Sequence, residues 1–208
     1  MKGILFKPDM IQAIIEGRKT NTRRVEAGLR EINQEPDEWI LYSSTLTQFG
    51  SRFLFVNEKH EGLTDVCKPR YEVGETVYIK EAFMFKAGAD IRELDVGTPR
   101  ECFLGKPPFY LYRLDNTEET RDYERYYKWR SPLMMPQKAA RYFIMIEQVG
   151  AERVQGITIV DIRSEGIGQE WLDAKSLFID TWDSINPKYP WESNPWVFPY
   201  TFSLKEGK

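Results

Sequence analysis

The chain has 208 residues, 41% of them hydrophobic and 14% aromatic, enough to bury one substantial core, so a single domain over 1–208 is expected. A formal charge of −3 excludes a protein that coats nucleic acid with its whole surface, because such a footprint is strongly basic. Cys67 and Cys102 can form one bridge at most, and with only His60 beside them neither a disulfide framework nor a Cys/His metal site is expected, and no organic cofactor either.

Residues 3–6 read as a short buried strand. Pro8 then suits the first turn of a helix, where its missing N–H costs nothing. Met10, Ile11, Ile14 and Ile15 follow at helical spacing, and Gly17 supplies a C-terminal cap. Lys7 and Pro8 interrupt the N-terminal apolar stretch too early for a signal peptide. No apolar run approaches the roughly 20 residues of a membrane span. A cytoplasmic chain without a membrane partner is expected.

Out of the helix end comes Gly-Arg-Lys-Thr-Asn-Thr-Arg-Arg, residues 17–24, with no acid between Glu16 and Glu26. An amine at Lys19, hydroxyls at Thr20 and Thr22, and guanidiniums at Arg18, Arg23 and Arg24 suit an anionic or nucleoside-like ligand. The plainer reading is a solvated cationic face that complements the helix dipole.

Residues 26–52 lack a clear period, although 39–42 and 52–56 read as the strands of a hairpin. A turn at Gly74 leads into a strand at 76–81, with Val77 and Ile79 on one side and Tyr78 on the other. Glu81, at its end, either lines a pocket or is a solvated strand end. Residues 86–125, rich in charge, Gly and Pro, read as a surface excursion with one strand-like island at 109–112. The window 128–141 holds Lys128, Trp129, Arg130, Lys138 and Arg141 and no acid. Cation and aromatic together can hold a phosphate and stack a base. Trp129 reads equally as core.

A strand at 141–147 carries Tyr142, within reach of a ligand, and closes on Glu147; a second strand runs through 153–155. Thr158 or its predecessor caps a short helix closed by Gly166. Residues 169–185 form a helix whose Trp171, Ala174, Phe178 and Trp182 make one apolar stripe, ended by Pro187. From 196 to 204 the pattern alternates, with Trp196, Phe198, Tyr200, Phe202 and Leu204 on one face. Pro199 then requires an edge strand or a bulge. Short strands between turns, with helices near both ends, predict an α+β, mainly β fold: a small closed or nearly closed barrel flanked by helices. A parallel α/β sheet would need helical crossovers that residues 41–147 do not offer.

The segment Gly17-x-Lys19-x-x-Thr22-x-Arg24 resembles the hallmark of the ASCH family, a branch of the PUA-like barrels, in its threonine variant. Residues 73–81, the 128–141 region, Trp182-Asp-Ser-Ile-Asn186 and Asn194-Pro-Trp196 are similar to the longer ASCH proteins often found in phages and prophages. Insertions at about 26–70 and 86–127 lie outside the compact family core.

The resemblance implies a nucleoside or RNA ligand and points to small bacterial members that remove the acetyl group from N4-acetylcytidine. Lys19 and Thr22 match their lysine and threonine by motif. Glu147 matches their glutamate by its strand setting. In that scheme the Thr22 hydroxyl attacks once Lys19 takes its proton, which requires a lysine pKa well below its usual ~10.4. Arg18, Arg23 and Arg24 supply cations that push in that direction. Glu147 orients the lysine or protonates the leaving amine, and Arg24 is a candidate partner for the oxyanion. The competing expectation is a non-catalytic module that binds RNA or a modified base. A third, nuclease action, lacks an obvious acidic metal cluster. No oligomeric state follows from the sequence.

Overall fold

The structure, a computed structural model, describes residues 1–47, 50–86, 109–115, 121, 124, 128–167 and 173–205. In chain order its elements are β1 (Gly3–Leu5), α1 (Pro8–Ile15), β2 (Asn21–Arg24), β3 (Trp39–Thr47), β4 (Gly50–Asn57), β5 (Thr64–Cys67), β6 (Thr76–Lys80), β7 (Phe83–Lys86), β8 (Phe109–Tyr112), β9 (Phe143–Val149), β10 (Glu152–Arg153), α2 (Ile159–Ser164), α3 (Ala174–Ile185) and β11 (Trp196–Lys205). The fold is α+β and mainly strand, with three α-helices and separate sheets among the described residues. No closed barrel forms among them, because β3, β4 and β5 pair as a sheet of their own. No helix among them is long and apolar enough to cross a membrane.

The contacts group the chain into two compact units: Met1, Gly3–Pro8 and Tyr78–Arg141 form one, and Lys2, Asp9–Val77 and Tyr142–Lys208 the other. In the smaller unit β1 lies parallel to β6, with Gly3 opposite Tyr78 and Leu5 opposite Lys80. Here β7 and β8 pair antiparallel, Phe83 opposite Tyr112. Phe83, Met135 and Ala139 are buried together, with Tyr110 and Tyr112 packed on them. Pro132 and Pro136 start or flank two short 3-10 turns, at Pro132–Met134 and Gln137–Ala139. Most of the excursion expected at 86–127 lies outside the described residues; β8, the turn Arg113–Asp115 and the single positions 86, 121 and 124 are the described parts.

In the larger unit β11 is the middle strand. On one edge β2 pairs with it antiparallel, Thr22 opposite Tyr200. On the other, β9 and β10 act as one interrupted strand: Val149 faces Tyr200 and Glu152 faces Val197 in a continuous register. The proline therefore sits in an interior strand rather than at an edge. Pro199 lies beside the gap between β9 and β10, where its carbonyl still accepts from Gly150 N at 3.0 Å and the ladder is interrupted. Gly150 makes room for the ring; a Cβ there would stand 3.1 Å from Pro199 Cγ.

Strand alternation sends Trp196, Phe198, Tyr200 and Phe202 to the buried face of β11. They meet the inner face of β4, where Ser51, Phe53, Phe55 and Asn57 alternate as buried residues. Phe55 and Trp196 pack edge to face at 4.9 Å between centroids, and Phe53 lies 5.3 Å from Phe198. Each such ring removed from water contributes about 1.5–3 kcal/mol. Leu204, expected on the same stripe, is exposed at the strand end. Val197 points the other way, into a second cluster with Val154, Ile157, Ile162, Ala174, Phe178 and Trp182. Trp171, expected on that stripe, lies outside the described residues. The helix α2 starts at Thr158, whose hydroxyl accepts from Asp161 N while the Asp161 carboxylate accepts from Thr158 N. This capping box satisfies two donors that a helix start would leave bare.

Candidate functional site

The basic run is positioned by the way α1 ends. Gly17 takes φ +73°, which an L side chain resists. Arg18 N and Lys19 N then both donate to Ala13 O, at 2.8 and 3.0 Å. The reversal brings Lys19 into a single antiparallel bridge with Glu165, just past α2. Thr20 extends the contact on both sides, donating through N to Ser164 O and accepting from Phe202 N, each at 2.8 Å. Gly166 completes the fit, with φ +76° and an ideal Cβ position 3.0 Å from both Ala13 Cβ and Lys19 Cβ.

From there the extended chain deals its side chains to two faces in turn. Lys19 and Arg23 share one. Lys19, 1% exposed, donates from Nζ to Asn21 O at 2.8 Å, Glu165 O at 2.8 Å and Glu165 Oε2 at 2.6 Å. An ammonium has three donors, so these bonds employ its full set. Arg23 reaches Glu152 Oε1 from Nε at 2.6 Å, Glu165 Oε1 from Nη1 at 3.3 Å and Asp161 Oδ2 from Nη2 at 3.5 Å. Burial pulls the Lys19 amine below the ordinary lysine range; Glu165 opposes this, and Arg24 and Arg23 add to it. Burial would raise Asp161, yet the Thr158 hydroxyl and N–H, with Arg23, hold it below its usual value.

The Lys19–Thr22–Glu147 constellation expected from the sequence is not the one brought together. The carboxylate at Lys19 is that of Glu165. Glu147 is exposed on β9, at the register shift between the Ile146–Phe202 and Gln148–Thr201 pairs. Thr22, buried, alternates away from Lys19 to the face of β2 that carries Arg24. Arg18 lies outside the network and bonds Glu16 Oε2 from Nε at 2.7 Å, as the solvated-face reading holds for that residue. Tyr142, just before β9, is half-buried.

Three other expected ligand residues belong to the smaller unit. Glu81 is neither a solvated strand end nor open to a ligand: it is 2% exposed and accepts from Arg141 through both oxygens, at 3.0 and 2.8 Å. Arg141 in turn lies 4.0 Å above the Tyr112 ring and bonds Asp115 at 2.7 Å. Trp129 is half-buried and donates from Nε1 to Glu124 at 2.5 Å. Arg130 is exposed, and its backbone bridges that of Phe83.

The second face of β2 opens on a cavity of about 500 Å³, lined by Arg24, Glu26, Gly28, Lys68, Arg70 and Tyr71 among others. Tyr71 is buried and packs edge-on against Tyr200, 5.5 Å between centroids. The Tyr200 hydroxyl donates to Glu26 Oε2 at 2.9 Å and accepts from Arg70 N at 3.1 Å; Arg70 N also donates to Glu26 Oε2 at 2.6 Å. Burial lifts the Glu26 carboxyl above its usual value against the pull of Arg70 N, Tyr200 and the charges of Arg24 and Arg70. Burial likewise raises the phenols of Tyr71 and Tyr200, and Glu26 adds to the rise at Tyr200. Lys68 and Arg70 are exposed. At Gly28 a Cβ would come 2.9 Å from Lys68 O, so the cavity wall closes only around a glycine.

Glu165, Glu26, Lys68, Arg70, Tyr71 and Tyr200 were missed as site residues. Glu26 was visible as the acid ending the basic run and Glu165 as the neighbour of the helix-closing Gly166, but neither has a spacing that ties it to Lys19 or Arg24. Among the described residues no group of three or more His, Cys, Asp or Glu side chains is placed to hold a metal ion. Compared with protein-family models, curated proteins and solved structures, the chain matches none.

Proposed function

We propose that this chain is an ASCH-type, PUA-like module that binds a nucleoside or modified base in the Arg24–Tyr71 cavity. The observation that carries the reading is the pairing of size and chemistry there: about 500 Å³, within the range of small-molecule sites, walled by an aromatic, a partly desolvated carboxyl and cations. Glu26 offers an oxygen to an exocyclic amine or ring N–H, and Tyr71 and Tyr200 hold that carboxyl's surroundings dry. The net charge of −3 favours a small ligand over a long polyanion, which the rest of the surface repels.

Amide hydrolysis is the second reading, favoured by the burial-lowered Lys19 amine. It needs Lys19 to surrender a proton and one of three acceptors while its side chain is closed to solvent, so binding is the reading the geometry supports better.

Titration calorimetry with N4-acetylcytidine and cytidine tests both, with released cytidine followed by chromatography. Saturable binding that Glu26→Gln weakens, with no product, supports the module. Product formation abolished by Thr22→Ala in a variant that still binds supports hydrolysis. If neither nucleoside binds, the cavity has been given the wrong ligand.

A further inference from the structure

Within the cavity wall the charges are unequally distributed. Arg24 and Glu26 stand two residues apart on its half-buried side and attract each other across a dry wall. That leaves Lys68 and Arg70, both exposed, on the same cavity. Among the described residues neither takes part in an ion pair. Nearby Lys2 bonds Arg70 O at 2.6 Å, but its charge is met by Glu75 at 2.9 Å. The Arg70 guanidinium lies 5.6 Å from the Tyr71 ring centroid, held beside the aromatic wall. The Arg70 charge is felt by the Glu26 carboxylate but is not paired with it, and two exposed cations at alternate positions of one segment match a group with two negative charges.

We propose that the ligand of this cavity is a nucleotide bearing a terminal phosphate monoester, whose dianion is held by Lys68 and Arg70 at the mouth while the base lies inward against Tyr71 and Glu26. The inference rests on the nucleoside-binding reading above and adds the phosphate to it. A guanidinium offers paired N–H donors to phosphate oxygens and an ammonium adds a point charge, both stronger than neutral hydrogen bonds. A phosphodiester inside a polymer carries one charge per phosphate and cannot satisfy both cations alone. A free nucleoside satisfies neither.

Calorimetry on the full chain compares N4-acetylcytidine, its 5′-monophosphate and inorganic phosphate. The monophosphate is expected to bind at least about tenfold more tightly than the nucleoside, the fold-change of one charge-assisted hydrogen bond. Lys68→Gln with Arg70→Gln should erase that advantage, so that nucleoside and monophosphate bind the double variant equally; both side chains are exposed, and an unaltered unfolding curve verifies the fold. The advantage should also shrink below about pH 6, where the monoester loses its second charge. Equal binding of nucleoside and monophosphate overturns the phosphate inference and leaves base binding standing. Inorganic phosphate binding as tightly as the monophosphate, with no nucleoside binding, overturns the nucleotide and the base reading together. Binding by none of the three overturns both as well.

Discussion

The two faces of β2 make an instructive contrast. On one, Lys19 and Arg23 are buried and share Glu165, with Glu152 and Asp161 completing the cluster. On the other, Arg24 looks into a cavity whose mouth carries Lys68 and Arg70. The same basic run thus supplies a sealed ion network and an open site, and residue parity along an extended chain decides which cation serves which. A cluster of positive residues in a sequence is therefore not one feature but two, interleaved.

The largest effect should come from the sealed face. Glu165→Gln leaves two buried cations without their common carboxylate, and urea unfolding is expected to show a loss of about 3–5 kcal/mol. A loss below about 1 kcal/mol would break the contrast, since the network would then be ornamental. Next comes the cavity wall: Gly28→Ala forces a Cβ towards Lys68 O, a backbone atom that cannot swing aside, at a cost of about 1–3 kcal/mol, and nucleoside affinity should fall with it. Glu26→Gln sharpens the comparison from the open side. It keeps an oxygen for Arg70 N and Tyr200 but removes the charge, so affinity for N4-acetylcytidine should drop about tenfold with little change in the urea midpoint.

The smallest effect is on pH dependence. The Glu26 carboxyl is raised above 4.5 by burial, so folding favours its protonated form. Its contribution to stability is complete below the unfolded value and is lost as pH rises through the folded one. Wild type should therefore lose stability relative to Glu26→Gln over that acidic window, read from urea midpoints at successive pH values. A difference that ran the opposite way would mean that Arg24 and the two donors outweigh burial.

Much of the fold was legible because it obeys local periods. The β11 stripe, the hairpin of β3 and β4, the Thr158 cap and the α3 stripe from Ala174 to Trp182 follow from alternation, helical spacing and capping chemistry, which act within a few residues. A proline in a strand marks an edge or a bulge, and Pro199 lies in an interior strand, beside the interruption at Gly150 and two residues before the register shift at Thr201/Phe202. The site was less legible. The motif marks Lys19 and Thr22, but the strand setting points to Glu147 on β9, whereas the carboxylate paired with the lysine is that of Glu165.

By itself the sequence determined which segments extend or coil, where α1 stops, and that a dense group of cations leaves the helix end there. Only the tertiary structure decided that Glu165, 146 positions from Lys19, closes over the amine, and that Glu26, Tyr71 and Tyr200 frame a cavity around Arg24. Local propensities act through neighbouring residues and can be read one window at a time. Charge pairing and burial depend on distances in space, and those exist only once β2, α2 and β11 have met.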